Sequence, residues 1–185
     1  MKTSFQAVGM VEFTSIAAGI EAADRMMKSS LVAPLMLKTI CPGKFVVGVH
    51  GDVAAVQSSV EAGVSGADGT IADSFVIPNI SDAVVAAMNG TSPEPSGSAL
   101  GVIETFSAAA AIKAAHIAIR TADIEIAEVR IAMGLGGKAF ALITGDVAAV
   151  EMAVETGANS AAESAMLVRK VVIPSAAPEV LRNIL

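Results

Sequence analysis

The amino-acid sequence predicts an α+β protein of two tandem ferredoxin-like domains, each a sheet with its helices on one side. Three observations lead to this prediction: the 185-residue chain repeats itself once, each repeat alternates strand-like with helical periodicity, and a linker separates the repeats. The linker is GTSPEPSGS, which is rich in Gly, Pro and Ser. The predicted organisation is a first domain over 1–89, the linker over 90–98 and a second domain over 99–185.

The repeat is visible as identical residues at a slowly increasing offset. Segments 7–30 and 99–122 share nine of 24 positions at an offset of 92. The sequence GDVAAV occurs twice, 94 positions apart, and VIP occurs twice, 96 positions apart. The increase indicates small insertions in the second copy, in loops where insertions are tolerated.

Each repeat is predicted to begin with a strand and an amphipathic helix. In the first copy, residues 7–14 form a short apolar run suited to a strand. From Ser15 onward the apolar residues recur with helical spacing, and charged residues occupy other positions. The predicted buried face of this helix consists of Ile16, Ile20, Ala23 and Met27.

Two further strand-like runs, over 35–40 and 45–49, follow the helix and are joined by the turn Cys41-Pro42-Gly43. Asp52 then occupies the expected N-cap of a second helix, because its carboxylate can accept hydrogen bonds from the unpaired N–H groups of the first turn. That helix is predicted to bury a valine stripe, Val53, Val56, Val60 and Val64.

A last strand over 71–77 and a short helix over 82–88 complete the first unit, so that the predicted order is β-α-β-β-α-β-α. The second copy repeats this order. Two units of roughly 90 residues are each long enough to enclose a small hydrophobic core.

The composition excludes several classes of protein. Alanine supplies 36 of the 185 residues, and no run of 18 apolar residues exists, so that a membrane-spanning helix is not supported. A net charge of −6 and the absence of Trp and Tyr argue against a nucleic-acid partner, which requires basic patches and stacking platforms. One cysteine and two histidines are too few for a disulfide scaffold or a zinc site. We therefore expect a soluble cytoplasmic protein.

No catalytic residues are predicted. Glu12 and Glu104 end the first strand of each unit, but duplication of the chain accounts for this pair without a glycosidase mechanism. The two histidines do not occupy matching positions and support no Ser–His–Asp arrangement. We expect that the protein is not an enzyme.

The two repeats resemble the bacterial microcompartment shell domain. The resemblance is carried by AVGMVE, IEAADRMMKS, GKFVVGVHGDVAAVQSSVEAG and VIP in the first copy, and by ALGVIET, GGKAFALITGDVAAVEMAVETG and VVIP in the second. It covers nearly the whole chain except the linker and the ends, in the non-permuted order of that domain. A chain with two such domains is similar to tandem shell proteins, which implies a homotrimer of pseudo-hexagonal outline that tiles with other shell proteins in a bacterial microcompartment.

Among tandem shell proteins, the chain is similar to the iron–sulfur shell proteins of propanediol-utilisation microcompartments. In those proteins a Cys-Pro-Gly turn lies in the first domain, and the cysteines of three subunits hold an iron–sulfur cluster in the central pore. The resemblance places Cys41, with Pro42 and Gly43, at this position. It implies one [4Fe-4S] cluster per trimer, an electron-relay function across the shell, and a redox enzyme or flavoprotein as a partner.

The stoichiometry of such a site follows from symmetry. Clusters are usually held by four thiolates, so one cysteine per chain is insufficient, whereas a residue on a three-fold axis appears three times. The corresponding turn of the second copy has no thiol, because Leu135 stands at the position of Cys41. The resemblance implies a pore lined alternately by the first turn and by the second, which comprises Gly134, Leu135, Gly136 and Gly137.

Two alternatives stay open at this point. In the first, the protein is a purely structural tile whose central pore conducts small metabolites, no cluster is bound and Cys41 is incidental. In the second, the chain is a ferredoxin-like ligand-binding or enzymatic module unrelated to shells. This last hypothesis predicts a monomer or dimer with a pocket inside one chain.

Several charged residues have more than one interpretation. The resemblance places Lys28, and Arg120 at the matching position, at the tile edge against a neighbouring tile; the alternative is a solvated helix end. Lys44 and Lys138 follow their turns and either set a positive field near the pore mouth or face water. His116 replaces an acidic residue of the first copy and is expected to be an exposed polar residue.

Overall fold

Both repeats fold in the predicted order of strands and helices. The computed structural model describes residues 5–67, 69–94, 96–131 and 134–184. The first repeat comprises β1 (Ala7–Phe13), α1 (Ile16–Ser29), β2 (Val32–Ile40), β3 (Lys44–Gly51), α2 (Val53–Val64), β4 (Ile71–Pro78) and α3 (Asp82–Met88). The second comprises β5 (Ala99–Thr105), α4 (Ala108–Thr121), β6 (Ile124–Ile131), β7 (Ala139–Gly145), α5 (Val147–Glu163), β8 (Leu167–Ile173) and α6 (Pro178–Ile184).

The described residues divide into two compact units. The first unit contains the described residues within 1–82 and 132–137. The second unit contains the described residues within 83–131 and 138–185. The units follow the two repeats except at two places: most of α3 belongs to the second unit, and the loop before β7 belongs to the first. The boundaries at 89 and 99 stay a prediction from the sequence repeat.

Each unit contains one four-stranded antiparallel sheet. The strand order is β2-β3-β1-β4 in the first repeat and β6-β7-β5-β8 in the second, so that the first strand of each repeat is central. All seven residues of β1 are buried, because this strand has a neighbour on each side and is covered on both faces. Alternate residues of β1 and β3 join α1 and α2 in one hydrophobic cluster, as a period of two requires.

Capping side chains mark where α1, α2 and α4 begin. The Ser15 hydroxyl accepts a hydrogen bond from the Ala18 amide at 3.3 Å, and Ser107 caps α4 in the same way. The carboxylate of Asp52 accepts from the Ala54 amide at 2.9 Å, which confirms the predicted N-cap of α2. These short-range contacts explain why the helix starts were predictable from sequence.

The buried face of α1 differs from the prediction. Ile16 and Ile20 are exposed. Ala23 is buried as predicted and Met27 is partly buried against the core, but the other buried residues are Gly19, Ala22 and Met26. The helix is rotated because its small residues permit a closer approach to the sheet: a Cβ added at Gly19 would lie 2.6 Å from Cβ of Phe45. Close approach of the backbone therefore outweighs burial of the two isoleucines.

The prediction of a buried valine stripe on α2 is confirmed only in part, for the same reason. Val56 and Val60 are buried as predicted, whereas Val53 and Val64 are among the exposed apolar residues. Gly63 faces inward instead, where an added Cβ would lie 2.6 Å from Sδ of Met26 on α1. The two helices of the first repeat thus touch through a residue that has no side chain.

Substitution of Gly19 by alanine tests this close contact. We expect Gly19→Ala to lower the free energy of unfolding by about 1–3 kcal/mol, because the new methyl group overpacks a contact with Phe45 that has no free space. Helix propensity acts in the opposite direction, since alanine is a better helix former than glycine. Urea unfolding at fixed protein concentration measures the change.

The exposed Ala17 on the same helix supplies the control. Ala17→Gly should destabilise the protein by about 1 kcal/mol through helix propensity alone. A stabilising effect of Gly19→Ala would contradict the account of the buried face.

Candidate pore turns and assembly surfaces

The turn Cys41-Pro42-Gly43 lies at the tip of the hairpin formed by β2 and β3. Ile40 and Lys44 are paired across the two strands, so three residues complete the connection. Gly43 has φ +74°, in the left-handed region that glycine adopts without steric cost. Cys41 is a free cysteine and is partly exposed. The sequence therefore leaves a thiol on a short turn, accessible to solvent.

The matching turn of the second repeat is built from glycines. Gly134, Gly136 and Gly137 have φ values of +72°, +61° and +88°. This loop belongs to the same compact unit as the Cys41 turn. An added Cβ at Gly137 would lie 2.6 Å from Cδ of Pro42, so the two predicted turn segments are in contact. That they line a pore stays a prediction.

Lysine–glutamate pairs recur next to both turns. Nζ of Lys44 lies 2.8 Å from Oε1 of Glu12, which is fully buried on the central strand. Lys138 makes the corresponding ion pair with Glu104 in the second repeat. Each lysine charge is thus balanced by a carboxylate, which argues against a positive field at the turns and also against a lysine that simply faces water.

The sequence contains a signal for these pairs. Both the glutamate and the lysine recur at matching positions of the two copies. Glu12 lies opposite Val46 in the antiparallel register, and Lys44 is two residues from Val46 on the same strand face. Residues that recur together and lie diagonally across two strands are candidates for a cross-strand pair.

The described residues contain no complete metal site within one chain. No group of three His, Cys, Asp or Glu side chains among them lies close enough together to hold a metal ion. The whole sequence has one cysteine. The donor chemistry of the Cys41 turn suits an iron–sulfur cluster, but one chain supplies too few thiolates. The residues present fit the cluster only where three copies bring their Cys41 side chains together.

The predicted edge residues both lie at helix ends. Lys28 is exposed in the last turn of α1, and its Nζ lies 2.7 Å from Oδ2 of Asp24. Arg120 is exposed in the last turn of α4. An exposed ion pair contributes little to stability, so Lys28 could leave Asp24 for another acidic partner with little loss of free energy. The assignment of both residues to the tile edge stays a prediction.

One helix face is exposed in the first repeat and buried in the second. On α1, the stripe Ile16, Ile20 and Asp24 is exposed, and Ile20 has 56% of its surface accessible. The matching residues of α4 are Ala108, Ile112 and His116, and all three are buried. The same structural position therefore has opposite solvent exposure in the two copies.

The burial of this face of α4 contradicts the sequence-based expectation for His116. It was expected to be exposed, like the acidic residue it replaces, but only 8% of its surface is accessible. Burial lowers the pKa of His116, and the positive charge of Arg120 lowers it further. The expectation was wrong because the repeat comparison transferred the exposure of α1 to α4, which is buried around most of its circumference.

The fold and the turns define a tandem two-domain α+β protein, and its family follows from comparison with known proteins. Residues 7–80 and 99–176 each match the model of the BMC domain. Because the two matches cover most of the chain, the protein belongs to the BMC-domain family. Every helix in the described part of the chain is too short or too polar to cross a membrane.

The relatives are shell proteins of bacterial microcompartments. Over 169 residues the chain is 44% identical to the bacterial microcompartment shell protein PduT of Citrobacter freundii, covering 91% of this chain and 92% of that protein. The crystal structure of a microcompartment protein from Desulfitobacterium hafniense DCB superimposes with a TM-score of 0.84 at 48% identity, covering 97% and 99% of the two chains. The carboxysome assembly protein CcmO of Synechocystis sp. is 31% identical over 186 residues, covering 92% of this chain and 62% of that protein.

These findings confirm the resemblance drawn from the sequence. The chain is a structural protein of the bacterial microcompartment shell, with two tandem BMC domains, and the shell is its location. The hypothesis of a ferredoxin-like module unrelated to shells is therefore excluded.

The two lysine–glutamate pairs form a matched internal test. We expect Lys44→Met to lower the free energy of unfolding by about 3 kcal/mol or more, because the fully buried carboxylate of Glu12 loses the ammonium group 2.8 Å away. Lys138→Met should cost less than about 1 kcal/mol, because Glu104 and Lys138 are both partly exposed. Urea unfolding of the two variants measures both effects. Equal losses would contradict the assignment of Glu12 as the buried member.

Proposed function

We propose that this shell protein assembles as a homotrimer in which three Cys41 thiolates hold one [4Fe-4S] cluster at the central pore. The observation that carries the proposal is a single, partly exposed cysteine at the tip of a short hairpin turn, in a chain of the tandem shell-protein type. Bound there, such a cluster supplies one-electron transfer, so that the tile relays electrons across the shell.

The chain's own residues support this arrangement in two ways. Pro42 has a restricted φ and Gly43 adopts a left-handed backbone, so the turn that carries the thiol has few alternative conformations. Three thiolates would bind three irons of a cubane, and the fourth iron would keep water, a small ligand or an open position. Leu135 contributes no fourth thiol from the second repeat.

The uncovered face of α1 supports assembly with further copies of the chain. In a closed ring of equivalent domains, each domain presents the same face to a neighbour. The face of α4 that carries Ile112 is already buried in a single chain, whereas the matching face with Ile16 and Ile20 is not. A second copy of the chain that covers these two isoleucines would remove their apolar surface from water.

The partners of the trimer follow from its place in the shell. Other shell proteins would contact the tile edge near Lys28 and Arg120, where both cations are exposed. A redox enzyme or flavoprotein would exchange electrons with the pore. In this proposal the protein is not an enzyme, because its role is to form part of the shell and to carry electrons.

A second candidate function is a tile whose central pore conducts small metabolites and holds no cluster. The composition of the turns favours it: four of the seven residues proposed to line the pore are glycine, and small residues leave room for a channel. In this case Cys41 would line the channel without binding iron.

Iron and sulfide analysis with EPR on anaerobically purified protein separates the two functions. We expect about four irons per trimer in the unaltered protein, and none in Cys41→Ser, because no other thiolate is present. Leu135→Ser, at the matching position of the second repeat, serves as the control and should keep its iron. No iron in the unaltered protein, with trimers intact, would rule out the cluster and leave the channel.

Sedimentation velocity tests the proposed assembly face. We expect Ile20→Glu to shift the trimer toward monomers, because a buried carboxylate without a partner is costly at an interface. Met152→Glu is the matched control, since Met152 and Ile20 are 55% and 56% exposed. Circular dichroism checks that both variants fold. Trimers of unchanged stability in Ile20→Glu would disprove the role of this face, and a monomeric unaltered protein would disprove the trimer itself.

A further inference from the structure

The backbone of Gly137 lies against the ring of Pro42. An added Cβ at Gly137 would lie 2.6 Å from Cδ of Pro42 and 3.5 Å from the carbonyl oxygen of Cys41. Non-bonded carbon atoms normally lie about 3.5–4.0 Å apart, so this position has no room for a side chain. Both turns belong to the same compact unit. Gly137 is also buried, although Pro42 next to it is exposed.

The other glycines of the two turns do not share this property. Gly43, Gly134 and Gly136 also have positive φ, but an added Cβ at any of them would meet nothing within 4 Å. Their backbone conformation alone accounts for glycine at these three positions. At Gly137 a close contact adds to the conformational requirement, and the contact is with the residue that follows Cys41.

We propose that Gly137 is a positioning residue for Cys41, and that the loop at 134–137 supports the thiol-bearing turn through Pro42. The proline ring is rigid, so a displacement of its Cδ is passed to Cys41 through a single peptide bond. The inference rests on the proposed function where the thiol is a cluster ligand.

Such support matters because ligands that bind a common centre must be held within about 0.5 Å of their productive places. In a trimer any displacement of the turn occurs three times around the axis. The thiol-free turn of the second repeat would thus have a function of its own, because it would hold the Cys41 turn in place.

Two alanine variants separate this contact from backbone strain. Gly137→Ala and Gly134→Ala both place a side chain at positive φ, but only the first would contact Pro42. In Gly137→Ala we expect a loss of at least half of the iron per trimer. We also expect the thiol of Cys41 in the iron-free protein to react with N-ethylmaleimide at least about threefold faster, because the turn opens more often. Gly134→Ala should change neither quantity.

A double-mutant cycle with Pro42→Ala identifies the contact itself. Removing Cδ of Pro42 relieves the clash, so Gly137→Ala should have little further effect in the Pro42→Ala background. Should Gly137→Ala alone not fold, recovery of the folded protein by Pro42→Ala supports the contact, and failure to recover overturns it.

The possible failures of the two proposals differ. Equal effects of Gly137→Ala and Gly134→Ala would overturn the positioning role, whether or not the unaltered protein binds iron. If the unaltered protein binds no iron, the cluster proposal fails, and the maleimide rates still decide on Gly137. Unequal rates then support its contact with the turn, and equal rates overturn it.

Discussion

The close approach of helices to sheet and to each other is the constraint on which the rest of the structure depends. At Gly9, Gly19 and Gly63 an added Cβ would lie 2.6 Å from a neighbouring atom, and Gly101 and Gly157 show the same tightness in the second repeat. Contacts this short exist only where side chains are absent. The abundance of alanine is consistent with the same constraint, since the 36 alanine side chains are short and uncharged and let helices and sheet pack closely.

Duplication has preserved this packing while the surfaces have diverged. The order of elements and the strand register are the same in both repeats, yet Ile20 is exposed where Ile112 is buried. The lysine–glutamate pair is deeply buried in one copy and partly exposed in the other. Core positions tolerate little change because they are closely packed, whereas residues outside the core can differ in solvent exposure between the two copies.

The turns illustrate how symmetry changes what a residue can do. Within one chain Cys41 is a single thiol, and no group of three or more potential metal ligands occurs among the described residues. In the proposed trimer the same thiol would appear three times around the axis, and the glycine-rich turn would support it. A protein that assembles with closed symmetry can form a site on the symmetry axis that is incomplete in one subunit.

The sequence by itself determined the order of elements, the helix start at Ser15, the helix cap at Asp52, and the turn that carries Cys41. These features depend on local periodicity, short-range hydrogen bonds and the internal repeat, all of which are visible along the chain. Tertiary structure alone decided which face of α1 is buried, that His116 lies inside, and that Gly137 meets Pro42. Each of these depends on how closely distant segments approach, and that distance is set by packing in three dimensions and not by the hydrophobicity of any one segment.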